Sequence, residues 1–195
     1  MEPQAIAGLV AGLIALSAYV PYVVRAVRGE NRPNRATWLI WNILGFILLA
    51  SYYSVGATDT LWIPLFNQLG FLAVLWVSVK HGEGGWSGID KWCLAGAALG
   101  LALWWAFSSP LIALLMGIAV DLAGAIPTLK KAYTDPAHED RLAWLIFLCA
   151  NTLNLFAIAE WKFEISVYPV YLFLLCLTMV AVLTFRKNYK GKAGG

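Results

Sequence analysis

A pattern spread over residues 21 to 40 recurs 106 positions later without a gap. Pro21, Arg25, Arg35, Trp38, Leu39 and Ile40 stand in register with Pro127, Lys131, Arg141, Trp144, Leu145 and Ile146. The chain therefore reads as a tandem duplication of one apolar unit that carries a basic loop. Duplicated membrane units are characteristic of transporters, whose solute site lies between the halves.

Water is the wrong solvent for such a unit. With 61% hydrophobic and 13% charged residues and a mean hydropathy of +0.70, the chain has too few polar side chains to coat a soluble globule. A net charge of +3, scattered among apolar runs, excludes nucleic acid as a partner class. Cys93, Cys149 and Cys176 lie in apolar stretches at unrelated spacings and read as apolar filler; His81 and His138 stand apart from them. No metal-ligand spacing, phosphate loop or nucleophile-base pair is present, so no catalytic residue, metal or cofactor is expected. Met1-Glu2-Pro3-Gln4 lacks a basic leader, and the run behind it reads as a first span rather than a cleaved signal.

About 20 apolar residues cross a bilayer as a helix. Charged and glycine-rich breaks predict spans at 4–27, 36–55, 61–80, 92–108, 110–131, 142–160 and 165–185. All lysines and arginines except Lys162 then fall in loops one, three and five or in the tail, which predicts an outside N-terminus and a cytoplasmic C-terminus. Three helices per repeat would invert the second unit, and the span at 92–108 turns it back. The expected fold is all-α: two parallel three-helix bundles joined by a linker helix (3+1+3), with units at 1–82, 83–109 and 110–195. Gly8 with Gly12, and Gly96 with Gly100, read as close-packing pairs.

Ser17-Ala18-Tyr19-Val20-Pro21-Tyr22-Val23-Val24-Arg25, a short basic loop, an aromatic-rich second helix and a third helix with a mid-span Asn67 resemble the triple-helix unit of the PQ-loop superfamily. The likeness is closest to the SWEET and SemiSWEET sugar transporters and covers both repeats. It implies the 3+1+3 fold, alternating access between two bundles and a solute bound at their interface. Tyr22 and Thr128 occupy the positions of the signature glutamines, and Leu49 and Leu155 the place of a sugar-stacking tryptophan. Asn67 matches the asparagine of the third helix.

Asp121 is the acid that cannot be moved out of the bilayer. It lies nine residues before Lys130 and eleven after Pro110, so it must be protonated, paired or facing a wet cavity. It is the candidate for proton coupling or solute binding. Asn151 and Asn154 share one helix face, and Asn67 and Gln68 reach similar depth; with Asp121 they form the candidate substrate-binding set. Pro21 and Pro127, each four residues before a cation, are candidate gate hinges. Trp38, Trp41 and Trp144 follow the basic loops, as interfacial anchors or as an aromatic gate.

The expected function is a carrier of a small polar solute in a multi-pass protein of the cell membrane, a sugar being the first candidate. The bilayer and the solute are its expected partners; a monomer suffices, with no partner protein. Vitamin or nucleoside carriers of the same plan, and proton-coupled amino-acid carriers, are the alternatives within transport. A seven-helix receptor or sensor is the alternative of another class; no lysine precedes Lys187 in the seventh span, which excludes a retinal Schiff base.

Overall fold

The computed structural model describes residues 2–54, 61–84, 88, 91–92, 95–96, 98–99, 102 and 110–193. Those residues form six helices: α1 Pro3–Val27, α2 Arg35–Ser54, α3 Trp62–His81, α4 Pro110–Thr134, α5 Arg141–Leu155 and α6 Phe163–Ala193. A 3-10 turn at Pro136–His138 separates α4 from α5, and one isolated bridge joins Asn34 to Glu83. Most of the expected linker span at 92–108 lies outside the described residues.

Helix starts follow local chemistry. The α5 N-cap is Asp140, whose carboxylate accepts from the Leu142 and Ala143 amides at 3.0 and 3.1 Å. Asn34, its partner in the 106-residue register, does the same for α2 by accepting from the Thr37 amide at 3.0 Å. Two span limits depart from expectation. α5 stops at Leu155 rather than continuing to 160, because the Phe156 and Ala157 amides turn back onto the Leu153 and Asn154 carbonyls. α6 runs past 185 to Ala193, since helix propagation does not stop where apolarity does.

α1, α3 and residues Phe163–Phe185 of α6 are long and apolar enough to cross a membrane. The outer surface has matching character. Ile6, Val10, Leu13, Val20, Val24 and Val27 form an exposed apolar stripe down α1, and Leu69, Leu72, Trp76 and Val79 another on α3. A water-soluble bundle places polar side chains there; a lipid-facing one does not.

α1 packs on α3 and α5, α2 on α3 and α4, and α6 on α4 and α5. Followed around, these pairings close a ring in the order α1, α3, α2, α4, α6, α5. Exchanging α1, α2 and α3 for α4, α5 and α6 leaves the set of pairings unchanged. The buried cluster inside the ring draws on every helix, from Tyr19 and Tyr22 through Trp38, Trp41, Val74 and Val120 to Trp144, Phe147 and Met179. At one end of the ring the 28–34 loop, residues 82–84 and the 135–140 turn come together, because the Arg32 amide donates to the His138 carbonyl and the Arg35 amide to the Glu83 carbonyl.

Candidate functional site

Three tiers of side chains fill the ring, ordered by position along α5. At 1.5 Å per residue from Asp140, Trp144 stands roughly 6 Å in, Phe147 roughly 10 Å, Asn151 roughly 16 Å and Asn154 roughly 21 Å.

The outermost tier is an ionic clasp between the two halves of the ring. Arg25, at the end of α1, pairs with Asp140 at 3.3 Å; Lys131, its repeat partner at the end of α4, reaches back to the Arg32 carbonyl. Each cation thus grips the loop that opens the second helix of the other half. Lys131 also pairs with Glu139 at 3.3 Å and Glu83 at 3.4 Å, and is only 8% exposed. Glu139 accepts from the Tyr22 hydroxyl at 3.0 Å and the Trp144 indole at 3.4 Å. Burial pushes the Glu139 carboxyl above its ordinary 4.5, outweighing Lys131, Tyr22 and Trp144, which pull it down. Thr128, the repeat partner of Tyr22, donates to Thr37 of α2 at 3.3 Å. Both residues at the glutamine positions of the resembled motif therefore bond across the halves.

The middle tier is aromatic. Trp38 and Trp41 of α2, Trp144 and Phe147 of α5, Tyr19 of α1 and Phe71 of α3 form one connected set, with ring centroids 4.9 to 6.4 Å apart. In the 106-residue register Trp38 answers to Trp144 and Trp41 to Phe147, so the α2 and α5 members of the tier come from the same positions of both repeats, whereas Tyr19 and Phe71 answer to Ala125 and Leu177. Trp38, Trp41 and Trp144 are 2%, 5% and 5% exposed. Protein covers them, which removes the interfacial-anchor reading: a headgroup anchor needs a ring at the outer surface. The Trp41 indole donates to the Asp121 carbonyl of α4 at 3.4 Å, tying this tier to the next.

The innermost tier is polar. The Tyr171 hydroxyl donates to Asp121 Oδ2 at 2.5 Å. Asn151 donates Nδ2 to the Phe147 carbonyl at 2.9 Å and to Cys176 Sγ at 3.5 Å. A carbonyl only accepts, so the amide orientation of Asn151 is fixed; among the described residues Asn151 Oδ1 has no donor, and neither has Asn154 Oδ1. Cys176 and Tyr19 lie within electrostatic range of Asp121. Across the ring, the Tyr19 hydroxyl donates to Asn67 Oδ1 at 3.0 Å. Gly70 makes this contact feasible: a Cβ there would fall 2.2 Å from the Tyr19 ring.

Asp121, Asn151 and Asn154 are buried, and Asn67 is half-buried. Gln68 departs from that set. It donates to Asn42 Oδ1 at 3.2 Å, and Asn42 in turn donates to the Trp38 and Phe71 carbonyls. Gly45 leaves the space into which Gln68 Oε1 fits, so Gln68 and Asn42 bind α2 to α3. α1 continues through Pro21 without a break. Pro127 lies within α4, and its side chain is outside the described residues.

Sequence reasoning missed Glu139, Asp140, Tyr19 and Tyr171. A signal existed for one of them: Asp140 falls on Asn34 in the repeat register, at the position where an N-cap is needed. Tyr171 answers to Leu65 and Glu139 to Pro33, so the duplication gave no hint of either. Among the described residues no cluster of three metal-ligating side chains occurs. Comparison with family models, characterised proteins and solved structures finds no match to this chain.

Proposed function

We propose that the chain is a multi-pass carrier of a small polar solute that works by alternating access. Two triple-helix units, 1–82 and 110–195, would rock against each other, with 83–109 as the linker crossing in a 3+1+3 plan of the PQ-loop, SWEET-like kind. The clasp end is assigned to the cytoplasm by its cations, in what is most simply the cell membrane. A monomer suffices, and no chemical step or cofactor is assigned.

The observation that carries the reading is the reciprocal clasp. The same position of each repeat grips the other half at one end of the ring, and the Asn151 and Asn154 oxygens, without donors among the described residues, lie deeper inside. A seal of this kind, made of ion pairs and hydrogen bonds across two symmetric halves, can open by rigid-body motion without unfolding either half. The linker has independent support. Residue 84 lies at the clasp end, and α4, which ends there, begins roughly 36 Å away. Parallel units therefore require one more crossing between them. The proton-coupled variant of the reading is favoured by Asp121, which sits in the innermost tier without a cation among the described residues.

Purified protein in liposomes, loaded with or exposed to radiolabelled sugars, nucleosides and amino acids, tests the reading. A carrier fills the vesicles with at least one of them; a receptor or sensor binds without filling.

A further inference from the structure

The polar tier is lopsided in its hydrogen-bond chemistry, and the imbalance selects a class of solute. In this tier the buried side-chain atoms left without a partner among the described residues are two acceptors on α5. Asp121 supplies a carboxylate; Asn151 and Asn154 supply amide oxygens that are buried, 4% and 3% exposed, and unpartnered among the described residues. One turn apart on α5, the two amide oxygens lie on one face. Three donors are already engaged, the Tyr171 hydroxyl on Asp121, the Tyr19 hydroxyl on Asn67, and the Asn151 amide on Phe147 and Cys176, which leaves the Asn154 amide nitrogen as a donor to the solute's own acceptors. None of the five ion pairs among the described residues includes Asp121.

We propose that this tier is a binding site for a protonated amine, with Asp121 as counter-ion and the Asn151 and Asn154 oxygens accepting the remaining ammonium protons. The proposal rests on the carrier reading and names its substrate class. An ammonium brings three donors and one positive charge, which matches two neutral acceptors beside one carboxylate. A neutral polyol could satisfy the amide oxygens but requires Asp121 to be protonated, and an anion would meet repulsion from its ionised form; an ammonium alone compensates the carboxylate directly. The rings of Tyr19 and Phe147, edge to face with centroids 4.9 Å apart, bring aromatic rather than cationic groups next to the tier.

Three matched pairs, differing by an ammonium in place of a hydroxyl, test it: glucosamine against glucose, ethanolamine against ethylene glycol, and 1,4-diaminobutane against 1,4-butanediol. Uptake into proteoliposomes of uncharged lipid, and thermal shift of the wild-type protein in detergent, are read for all six at neutral pH. The expected result is at least one pair in which the amine is preferred by tenfold or more in both assays, a preference that falls to about one in Asp121→Asn. Equal handling of both members, or preference for the neutral ones, overturns the amine site while leaving the carrier reading intact. No uptake of any solute, from the earlier screen or from these six, by folded wild type overturns the carrier reading and the site with it. Should Asp121→Asn fail to fold, the wild-type thermal shifts decide alone.

Discussion

Removing the Glu139 carboxylate should open the clasp. In the closed ring this carboxylate takes the Tyr22 hydroxyl, the Trp144 indole and the Lys131 ammonium at 3.0, 3.4 and 3.3 Å, with its side chain 1% exposed. Truncating one partner of a buried, hydrogen-bonded charge pair costs about 3 to 5 kcal/mol. Lys131 keeps Glu83 and the Arg32 carbonyl, so the lower figure applies to Glu139→Ala. About 3 kcal/mol against the closed form is a shift of roughly a hundredfold in the closed-to-open ratio. Spin labels at positions 28 and 137, both on exposed sites of the two clasping loops, read the distance between the loops by double electron-electron resonance. The variant should show a longer, broader distribution in lipid nanodiscs. An unchanged distribution would refute the clasp as a determinant of closure.

The pH dependence of the same residue has a sign that runs against first intuition. Protonation weakens the pair with Lys131, yet the Glu139 carboxyl is held above 4.5 in the closed form because burial outweighs its partners. If opening restores solvent and the ordinary value, the closed form binds the proton more tightly. Protons then favour closure, and that contribution is lost as pH rises through the raised value. The closed population should grow as pH falls from neutrality toward 4.5 in wild type and stay flat in Glu139→Gln. A closed population that falls with acidification reverses the sign and removes burial as the dominant cause.

Four further outcomes are expected. Gly70→Ala places a methyl 2.2 Å from the Tyr19 ring and should cost about 1 to 3 kcal/mol in thermal unfolding; a neutral effect would mean that Tyr19 moves freely. Asp140→Ala removes an N-cap and the partner of Arg25 and should cost about 1 to 2 kcal/mol, more than Asn34→Ala, which caps without an ion pair; equal losses would deny Arg25 a role. Tyr171→Phe leaves Asp121 without its donor and should alter solute selectivity while Asn42→Leu alters stability instead; the converse would exchange their assignments. Cysteine at position 160 should react with an impermeant reagent outside intact cells and cysteine at position 29 should not; the opposite pattern inverts the topology.

Much of this architecture is legible in the sequence because a bilayer simplifies the code. Span length, cation position and a 106-residue register demand no knowledge of packing, and they place the starts of all six described helices to within two residues. The limits that failed did so where apolarity and backbone hydrogen bonding part company, as at Leu155, where the chain turns while still apolar. Asp121 stood out because charge is rare at that depth. Tyr171 did not, because a tyrosine in an apolar run is indistinguishable from a packing residue until its hydroxyl is seen on a carboxylate. The tryptophans show the same blindness in reverse: their distance from the basic loop is what both an anchor and an inner gate require, and helix rotation alone decides between them. The clasp was hidden because two of its ion pairs join residues 115 and 48 positions apart along the chain, Arg25 with Asp140 and Glu83 with Lys131.

Locking the clasp tests the central claim most directly. Arg32 and His138 are joined through their backbones at 3.5 Å across the two loops, so cysteines at these positions, in a background whose three native cysteines are alanine and whose uptake is retained, can be joined by a short reversible crosslink. Alternating access predicts that crosslinked protein in liposomes binds solute from one side but does not fill the vesicles, and that reduction restores uptake to the level before crosslinking. Uptake that continues undiminished through a complete crosslink would contradict it.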